Sequence, residues 1–476
     1  LIAASARKGP IDLLEKQRGV GAWCTAAGDL VLHCGDRVLL RERWHRPGEH
    51  DGFIYAREAA IAPPAEIPAA GGLNGPAADL LELLRTWKWD RPALDPFLLL
   101  GWIGAAKIGG ALEWRPGLYL TGDTGTGKST LIDHLLKPLF GIGGSITVGD
   151  STAAGIAQRL QCRTLPVIVD EFEATEDNRA RQAIVELRRA AASGALRLRG
   201  SQEQEAHASQ LRFCALFSAI NAPPMSPQDL NRSTFCGLGG PPTGILPRLD
   251  EKKLAALGQC LTRRLVDNWP RLKAAAEAYK AVLQREGHSA RSADQNGSLL
   301  AAADVLLYDR QGEMSADELA VWIHLLAAET AIEPTEAELC LEHLLNAVMD
   351  PRDPRTLGQV IALAISKHAD EDAVRQTNRR LARHGLRILL AQGAHSRGFE
   401  LAIASNHRGL RDLFRTSRWG GQAGQTAVYT AVLRRLPGAV VNDGTVSIGG
   451  RNARVTRVPL TGDGAILSGE IEADDA

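Results

Sequence analysis

The sequence predicts an α/β protein. Its centre is a parallel sheet with helices on both faces, preceded by a small β module and followed by helical blocks. Three observations predict this. From Pro116 to about Pro242, short apolar runs ("GLYLTG", "SITVG", "LPVIVDE", "LRFCALFSAI") alternate with helical segments, as parallel strands joined by crossovers do. One of those runs opens into the glycine-rich "GDTGTGKS" and then a helical pattern. The chain has 476 residues, 45% hydrophobic and 23% charged, which is enough for roughly two to four packed domains.

The elements follow in order. Residues 19–60 alternate apolar and polar, with turn pairs Gly28-Asp29 and Gly35-Asp36 between the runs. This predicts an antiparallel β module within 1–62. The stretch 63–115 holds a linker, "IAPPAEIPAAGGLNGP", and two helical patterns with apolar faces "LLELLRTWKW" and "FLLLGWIGAAKI". The sheet core is expected over 116–249 and a helical lid over 250–314. A C-terminal block over 315–460 begins with helices and ends in "GAVVNDGTVSIGGRNARVTRVPL", a helical and winged-helix-like pattern. An acidic tail occupies 461–476.

Composition excludes several classes. Lys+Arg and Asp+Glu both number 55, so any nucleic-acid surface must be a local patch. The 7 cysteines form no C-x-x-C pair, which fits a reducing cytoplasm rather than a zinc ribbon or disulfide scaffold. The 12 histidines show no metal-ligand spacing, and no G-x-S-x-G elbow appears. The most apolar stretch, Pro96 to Trp114, is interrupted by Lys107 and diluted by glycines. A membrane span needs about 20 apolar residues, so buried helices and no membrane are expected. The chain opens on Leu1 rather than Met, which suggests an upstream segment.

The phosphate site is the strongest signal. Gly122, Asp123, Thr124, Gly125, Thr126, Gly127, Lys128 and Ser129 match G-x-x-x-x-G-K-[ST] in full, and Thr130 continues into the helix. Glycines let several backbone N–H groups converge on one phosphate, and the helix N-terminus adds partial positive charge. Lys128 would sit between the outer phosphates of ATP, and the Ser129 hydroxyl is a hard oxygen ligand for Mg²⁺. Downstream, "LPVIVDEFE" runs an apolar strand into two carboxylates. Asp170 would hold Mg²⁺ through water, and Glu171 would act as general base on the attacking water. Glu173 and Glu176 read as a solvated face. The strand "LRFCALFSAIN" ends in Asn221, which can sense the γ-phosphate or simply make the turn before "APP". Arg232, in "SPQDLNRSTF", can reach a neighbour's nucleotide as a finger or form a surface ion pair.

P-loop, acidic pair, strand-end asparagine and later arginine, in this order, resemble an AAA+ P-loop ATPase. The wider chain, about 19–460, resembles the helicase half of phage and prophage primase–helicase proteins. The likeness rests on "LLGWIGAAKIGGALEWRPGLYLTGDTGTGKST", "STAAGIAQRL", "LPVIVDEFE", "DLNRS", "GHSARSADQNGSLLAAADVLL" and "GFELAIASNHRGLRDLF". It implies a homo-oligomeric ring, usually a hexamer, that encircles single-stranded or forked DNA and uses ATP and Mg²⁺. It also implies Lys128, Glu171, Asn221 and Arg232 as the catalytic set, with Ser129 and Asp170 on the metal. No toprim or zinc-finger primase segment stands among these residues, so they do not support priming activity; the resemblance implies a primase or replication protein as a partner. In ring helicases a hairpin between the acidic pair and the sensor strand reaches into the pore. Here that stretch carries Arg188, Arg189, Arg197 and Arg199 as candidate phosphate contacts, or as a solvated helix end. Arg408, Arg411, Arg415 and Arg418 would line a DNA-facing or partner-facing side of the C-terminal block. Two rivals share the ATPase core: a protein-remodelling motor, and an ATP-gated assembly switch in anti-phage defence.

Overall fold

The computed structural model describes residues 16–460 apart from 73, 150, 174–177, 195, 201–205, 224, 241–248, 311–313, 332–334, 367–370, 391–397 and 421–427. Glu176, Glu203, Glu205 and the acidic tail therefore lie outside the described residues. The chain divides into two units, Leu1–Ile332 and Glu333–Ala476.

The first unit opens with the expected β module. Strands β1 (Gly21–Cys24), β2 (Leu30–His33), β3 (Val38–Leu40) and β4 (Arg43–His45) form an antiparallel meander, and β5 (Gly48–His50) pairs with β6 (Phe53–Tyr55). The central sheet then contains β7 (Gly117–Gly122), β8 (Ile146–Val148), β9 (Val167–Val169), β12 (Ala215–Ala219) and β13 (Ser233–Leu238); a separate antiparallel hairpin, β10 (Leu196–Gly200) with β11 (Ala206–Gln210), intervenes in sequence. All central neighbours are parallel, in the order β13-β7-β12-β9-β8. Numbered within the sheet alone, this is 5-1-4-3-2.

Both faces of this sheet are apolar, as parallel sheets require. Leu118, Leu120, Ile168 and Leu216 belong to one core with the helix Asp95–Lys107 and the helix that follows the P-loop. Tyr119, Val167, Val169 and Phe217 belong to the other, with the helices Ala153–Leu160 and Arg179–Ser193. Tyr119 stacks between Phe217 and Phe235 on the flanking strands, at centroid distances of 4.8 and 5.1 Å.

The helices Glu251–Asp267, Trp269–Arg285 and Ala290–Leu307 form where the sequence predicts a helical lid, and the last of them is bonded to the sheet. The Gln295 amide accepts from Gly117 N–H at 3.2 Å, donates to Gly117 O at 2.7 Å and donates to Thr234 Oγ1 at 3.0 Å. Thr234 Oγ1 in turn donates to Asn296 Oδ1 at 2.7 Å. These bonds fasten the last helix to the amino ends of β7 and β13, the sheet edge away from the P-loop. The reason is satisfaction of buried polar backbone: an interior strand end needs partners, and "DQN" supplies them. The helix Ala316–Ala331 also packs here, Trp322 meeting Phe97 at 4.4 Å. The division between units thus falls after 332 rather than at 315.

Gly101 marks a close helix crossing. A Cβ there would overlap the Leu299 carbonyl oxygen. Alanine is normally about 1 kcal/mol better than glycine inside a helix. Gly101→Ala is nevertheless expected to lose about 1–3 kcal/mol through overpacking, read as a lower denaturant midpoint. Lys107, at the end of the same helix, donates to Leu139 O at 3.0 Å beside the Phe140 ring, and burial pulls its ammonium down to about 7. Among the described residues, no helix is long and apolar enough to cross a membrane.

The second unit begins with the helix Glu336–Leu345, closed at its start by a Thr335/Glu338 capping box. A hairpin of β14 (Val348–Asp350) and β15 (Asp353–Thr356) leads to the helices Leu357–Ile365 and Glu371–Leu381. Strands β16 (Leu386–Leu390), β17 (Phe399–Ala404), β18 (Val440–Ile448) and β19 (Arg451–Pro459) form an antiparallel sheet in the order β16-β17-β19-β18. The terminal β pattern is therefore half of a four-stranded sheet. Leu401, Ile403 and Val458 share one face of the sheet and join one core with Leu341 and Ile361. Arg408, Arg411, Arg415 and Arg418 are all exposed, but Arg418 pairs with Glu336 at 3.0 Å and Arg411 donates to Asn406 at 2.7 Å.

Candidate nucleotide site

Parallel strands deliver their carboxyl ends to one edge, and β7, β9 and β12 bring three of the expected groups there. The P-loop leaves β7 with Gly122, Gly125 and Gly127 at φ +150°, +83° and +92°, a backbone that L side chains rarely adopt. A Cβ on Gly122 would also come within 2.6 Å of Leu238 O on β13. Thr126 Oγ1 braces the loop by donating to Asp123 O at 2.9 Å. The Lys128 ammonium donates to the Gly122 carbonyl and, at 3.0 Å, to that of Asp123. It thus lies across the mouth of the loop. Asp123, Thr124, Gly125 and Ser129 are exposed; Thr130 is half-buried.

The helix behind the loop is irregular. It is α-helical over Lys128–Thr130, a π-helix over Leu131–Leu136 and α-helical again over Lys137–Phe140. Lys137 N–H bonds Ile132 O, five residues back. Pro138 has no N–H to offer an α-helical ladder, and π-turns frequently accompany functional sites.

Register sets the depth of the other groups. Phe217 on β12 is level with Tyr119 on β7 and Val169 on β9. Asp170 therefore begins one residue beyond that level, on the far side of β12 from the P-loop strand. Its N–H donates to Val148 O at 2.9 Å, and its Oδ1 accepts from Glu171 N–H at 3.0 Å. Glu171 is exposed and held at φ +54°. A non-glycine residue there costs about 1–2 kcal/mol, and such strain concentrates at functional positions.

Glu173 corrects the sequence reading. Rather than lying on a solvated face it is half-buried, and its two carboxylate oxygens accept from Ile220 N–H at 2.5 Å and Asn221 N–H at 3.1 Å. It thereby fixes the exposed end of β12 that presents Asn221. No local pattern signals this, because the partners are 47 and 48 residues apart. Glu173→Ala should leave two N–H groups unpaired and loosen Asn221. We expect a fall in turnover of about tenfold, the size of one lost charge-assisted bond, with ATP affinity retained; equilibrium nucleotide titration beside steady-state turnover checks it.

A second unforeseen contributor is the segment after the helix Pro76–Leu84. The sequence reads "TWKW" as helical, yet Trp89 bridges Leu238 and Asp90 N–H bonds Gly237 O at 2.9 Å, along the free edge of β13. Trp87 Nε1 then donates to Gly127 O at 3.3 Å. Buried Trp87 and Trp89 form a wall behind the P-loop.

Arg232 is elsewhere. It precedes Ser233, which is level with Gly117, whereas Leu238 is level with Gly122. Roughly 20 Å of strand separates it from the level of its own P-loop, at about 3.3 Å per residue. Burial, then Arg291 and Arg189, lower its pKa.

The arginines before the hairpin also divide. Arg188 is 2% exposed, its guanidinium lies against Gly117, and burial pulls it down to about 10. It cannot meet a nucleic-acid phosphate. A signal was present: Ile184, Leu187, Arg188 and Ala191 form the buried stripe of that helix, at i, i+3, i+4, i+7 spacing. Arg189 is committed to Asp229, donating through Nε at 2.9 Å and through a terminal nitrogen at 2.7 Å. Arg197 and Arg199 do lie on the hairpin, level with Ser209 and His207.

Fold and site together define a mixed α/β chain whose five-stranded parallel sheet ends at a P-loop. No family model and no curated protein matches the chain. It is similar to a solved structure described as "SCCmec type IV Cch - active helicase", at 12% identity and TM-score 0.48, over 96% of this chain and 81% of that one. It is also similar to the NrS-1 C-terminal region, at 11% identity and TM-score 0.37, over 91% of this chain and 95% of that one. At such scores the architecture rests on this chain's own strand order and loop geometry.

Proposed function

We propose that the chain is an AAA+ ATPase that hydrolyses ATP between the subunits of a ring, in all hexameric, and moves along single-stranded or forked DNA during replication of a phage or mobile element. One observation carries this reading. Strand β12 lies between the P-loop strand and the acidic strand, so Asn221 ends between Lys128 and the Asp170–Glu171 pair. Simple kinases, which transfer phosphate to a bound substrate, have no use for a sensor inserted there. The hairpin β10–β11 between the acidic strand and the sensor strand supports a pore-facing element, with Arg197 and Arg199 as its phosphate contacts.

In this reading the loop amides and Lys128 grip the triphosphate. Ser129 and Asp170 are oxygen donors of the type Mg²⁺ takes and would hold it; when bound, the ion neutralises charge on the β- and γ-phosphates. Glu171 accepts the proton of the attacking water. Asn221 orients that water or the γ-phosphate, and Arg232 from the next subunit steadies the developing charge.

The test is ATP turnover with and without single-stranded DNA at low salt. Wild type should be stimulated by DNA, and Lys128→Ala should lose tight ATP binding. Turnover indifferent to DNA, with no DNA binding, would favour a remodelling motor or an assembly switch.

A further inference from the structure

One buried carboxylate joins the turn that carries Arg232 to the helix that carries the hairpin. Asp229 sits in the turn Pro227–Leu230 with its side chain 0% exposed. Both of its oxygens are engaged. Oδ1 accepts from Arg189 Nε at 2.9 Å; Oδ2 accepts from a terminal Arg189 nitrogen at 2.7 Å and from Ser226 Oγ at 2.6 Å. Its main chain holds the next residues. Asp229 O accepts from Arg232 N–H at 3.1 Å and from Ser233 Oγ at 2.7 Å. The backbone of Arg232 is thus set by the residue that Arg189 clamps.

Arg189 lies one turn before the end of the helix Arg179–Ser193. Gly194, in the left-handed region at φ +67°, ends that helix, and β10 starts at Leu196. The helix end is itself rigid. Arg115 donates to Ala191 O through Nε at 2.6 Å and to Ala192 O through its N–H at 3.0 Å. Arg188, the preceding residue, packs inward beside Gln295 at the foot of β7. Between this helix and the Arg232 turn stands a short, bidentate contact, through which a displacement of the helix end is passed on. Such forks hold orientation as well as charge. The charges agree: Arg291 and Arg189 lie close enough to repel Arg232, and the Asp229 carboxylate opposes them.

We propose that the Arg189–Asp229 pair is a positioning clamp that couples the β10–β11 hairpin to Arg232, so that DNA held by the hairpin sets the rate of cleavage in the neighbouring subunit. This rests on the composite-site reading above. Arg189→Lys keeps the charge and removes the fork. With the full chain and single-stranded DNA as probe, Arg189→Lys should keep the KM for ATP within about twofold. Its kcat should fall about tenfold, the size of a lost charged bond, and its stimulation by DNA should disappear. Asp229→Asn should do the same; if it fails to fold, Arg189→Lys decides alone. Wild-type turnover and stimulation in Arg189→Lys would overturn the clamp, as would a loss seen only as a raised KM and a lower melting temperature. Arg232→Ala run in parallel separates the two ideas. If it is inactive while Arg189→Lys is normal, only the clamp fails; if it turns over normally, the composite site fails with it.

Discussion

Glu171→Gln should bind ATP as tightly as wild type and hydrolyse it about 10²–10⁴-fold more slowly, the range contributed by a positioned general base. The substitution keeps size and polarity and removes only the capacity to take a proton. Glu171→Gly sharpens the test. Glu171 sits at φ +54°, a conformation glycine adopts freely. The glycine variant should therefore be equally inactive yet melt at or above the wild-type temperature. That combination separates chemistry from folding. A Glu171→Gln protein with normal turnover would remove Glu171 as the base, and a Glu171→Gly protein that melted lower would show that the strained backbone is not the cost it is taken to be.

Arg232→Ala should lower kcat about 10³-fold or more, as loss of a charge-stabilising arginine finger does, while leaving the KM for ATP near its normal value. In the proposed composite site its distance along β13 from its own P-loop calls for action on a neighbour, which mixing can test. Lys128→Ala and Arg232→Ala proteins should each be inactive alone. Mixed in equal parts and allowed to reassemble, they form some interfaces with an intact Lys128 on one side and an intact Arg232 on the other. For random head-to-tail assembly about one interface in four is of this kind, so about a quarter of wild-type turnover should return. No recovery on mixing, or full activity in Arg232→Ala alone, would count against the composite site.

These predictions differ in how visible their residues were beforehand. The P-loop was legible because its constraint is local: amides can converge on a phosphate only if glycines stand at fixed offsets before a lysine and a hydroxyl. Asp170 and Glu171 were legible for a related reason, since an apolar run into two carboxylates marks the end of a buried strand. Glu173 was not, because its value lies in two amide groups on another strand. Arg188 and Arg189 are adjacent and chemically identical, yet one is buried against Gly117 and the other clamps Asp229. A helix turns about 100° per residue, so neighbours face different surroundings.

By itself the sequence determined what stands at the ends of the strands: which loop carries the P-loop pattern, which carboxylates follow, and that helices and strands alternate between them. Those properties depend on residues within a few positions of each other. Only the tertiary structure decided that β12 lies between β7 and β9, that Gln295 fastens the helix Ala290–Leu307 to the amino ends of β7 and β13, and that Asp229 ties Arg232 to Arg189. Each of these needs a buried polar group to find a partner 40 to 178 residues away, and burial forces the pairing without leaving a local pattern that announces the partner.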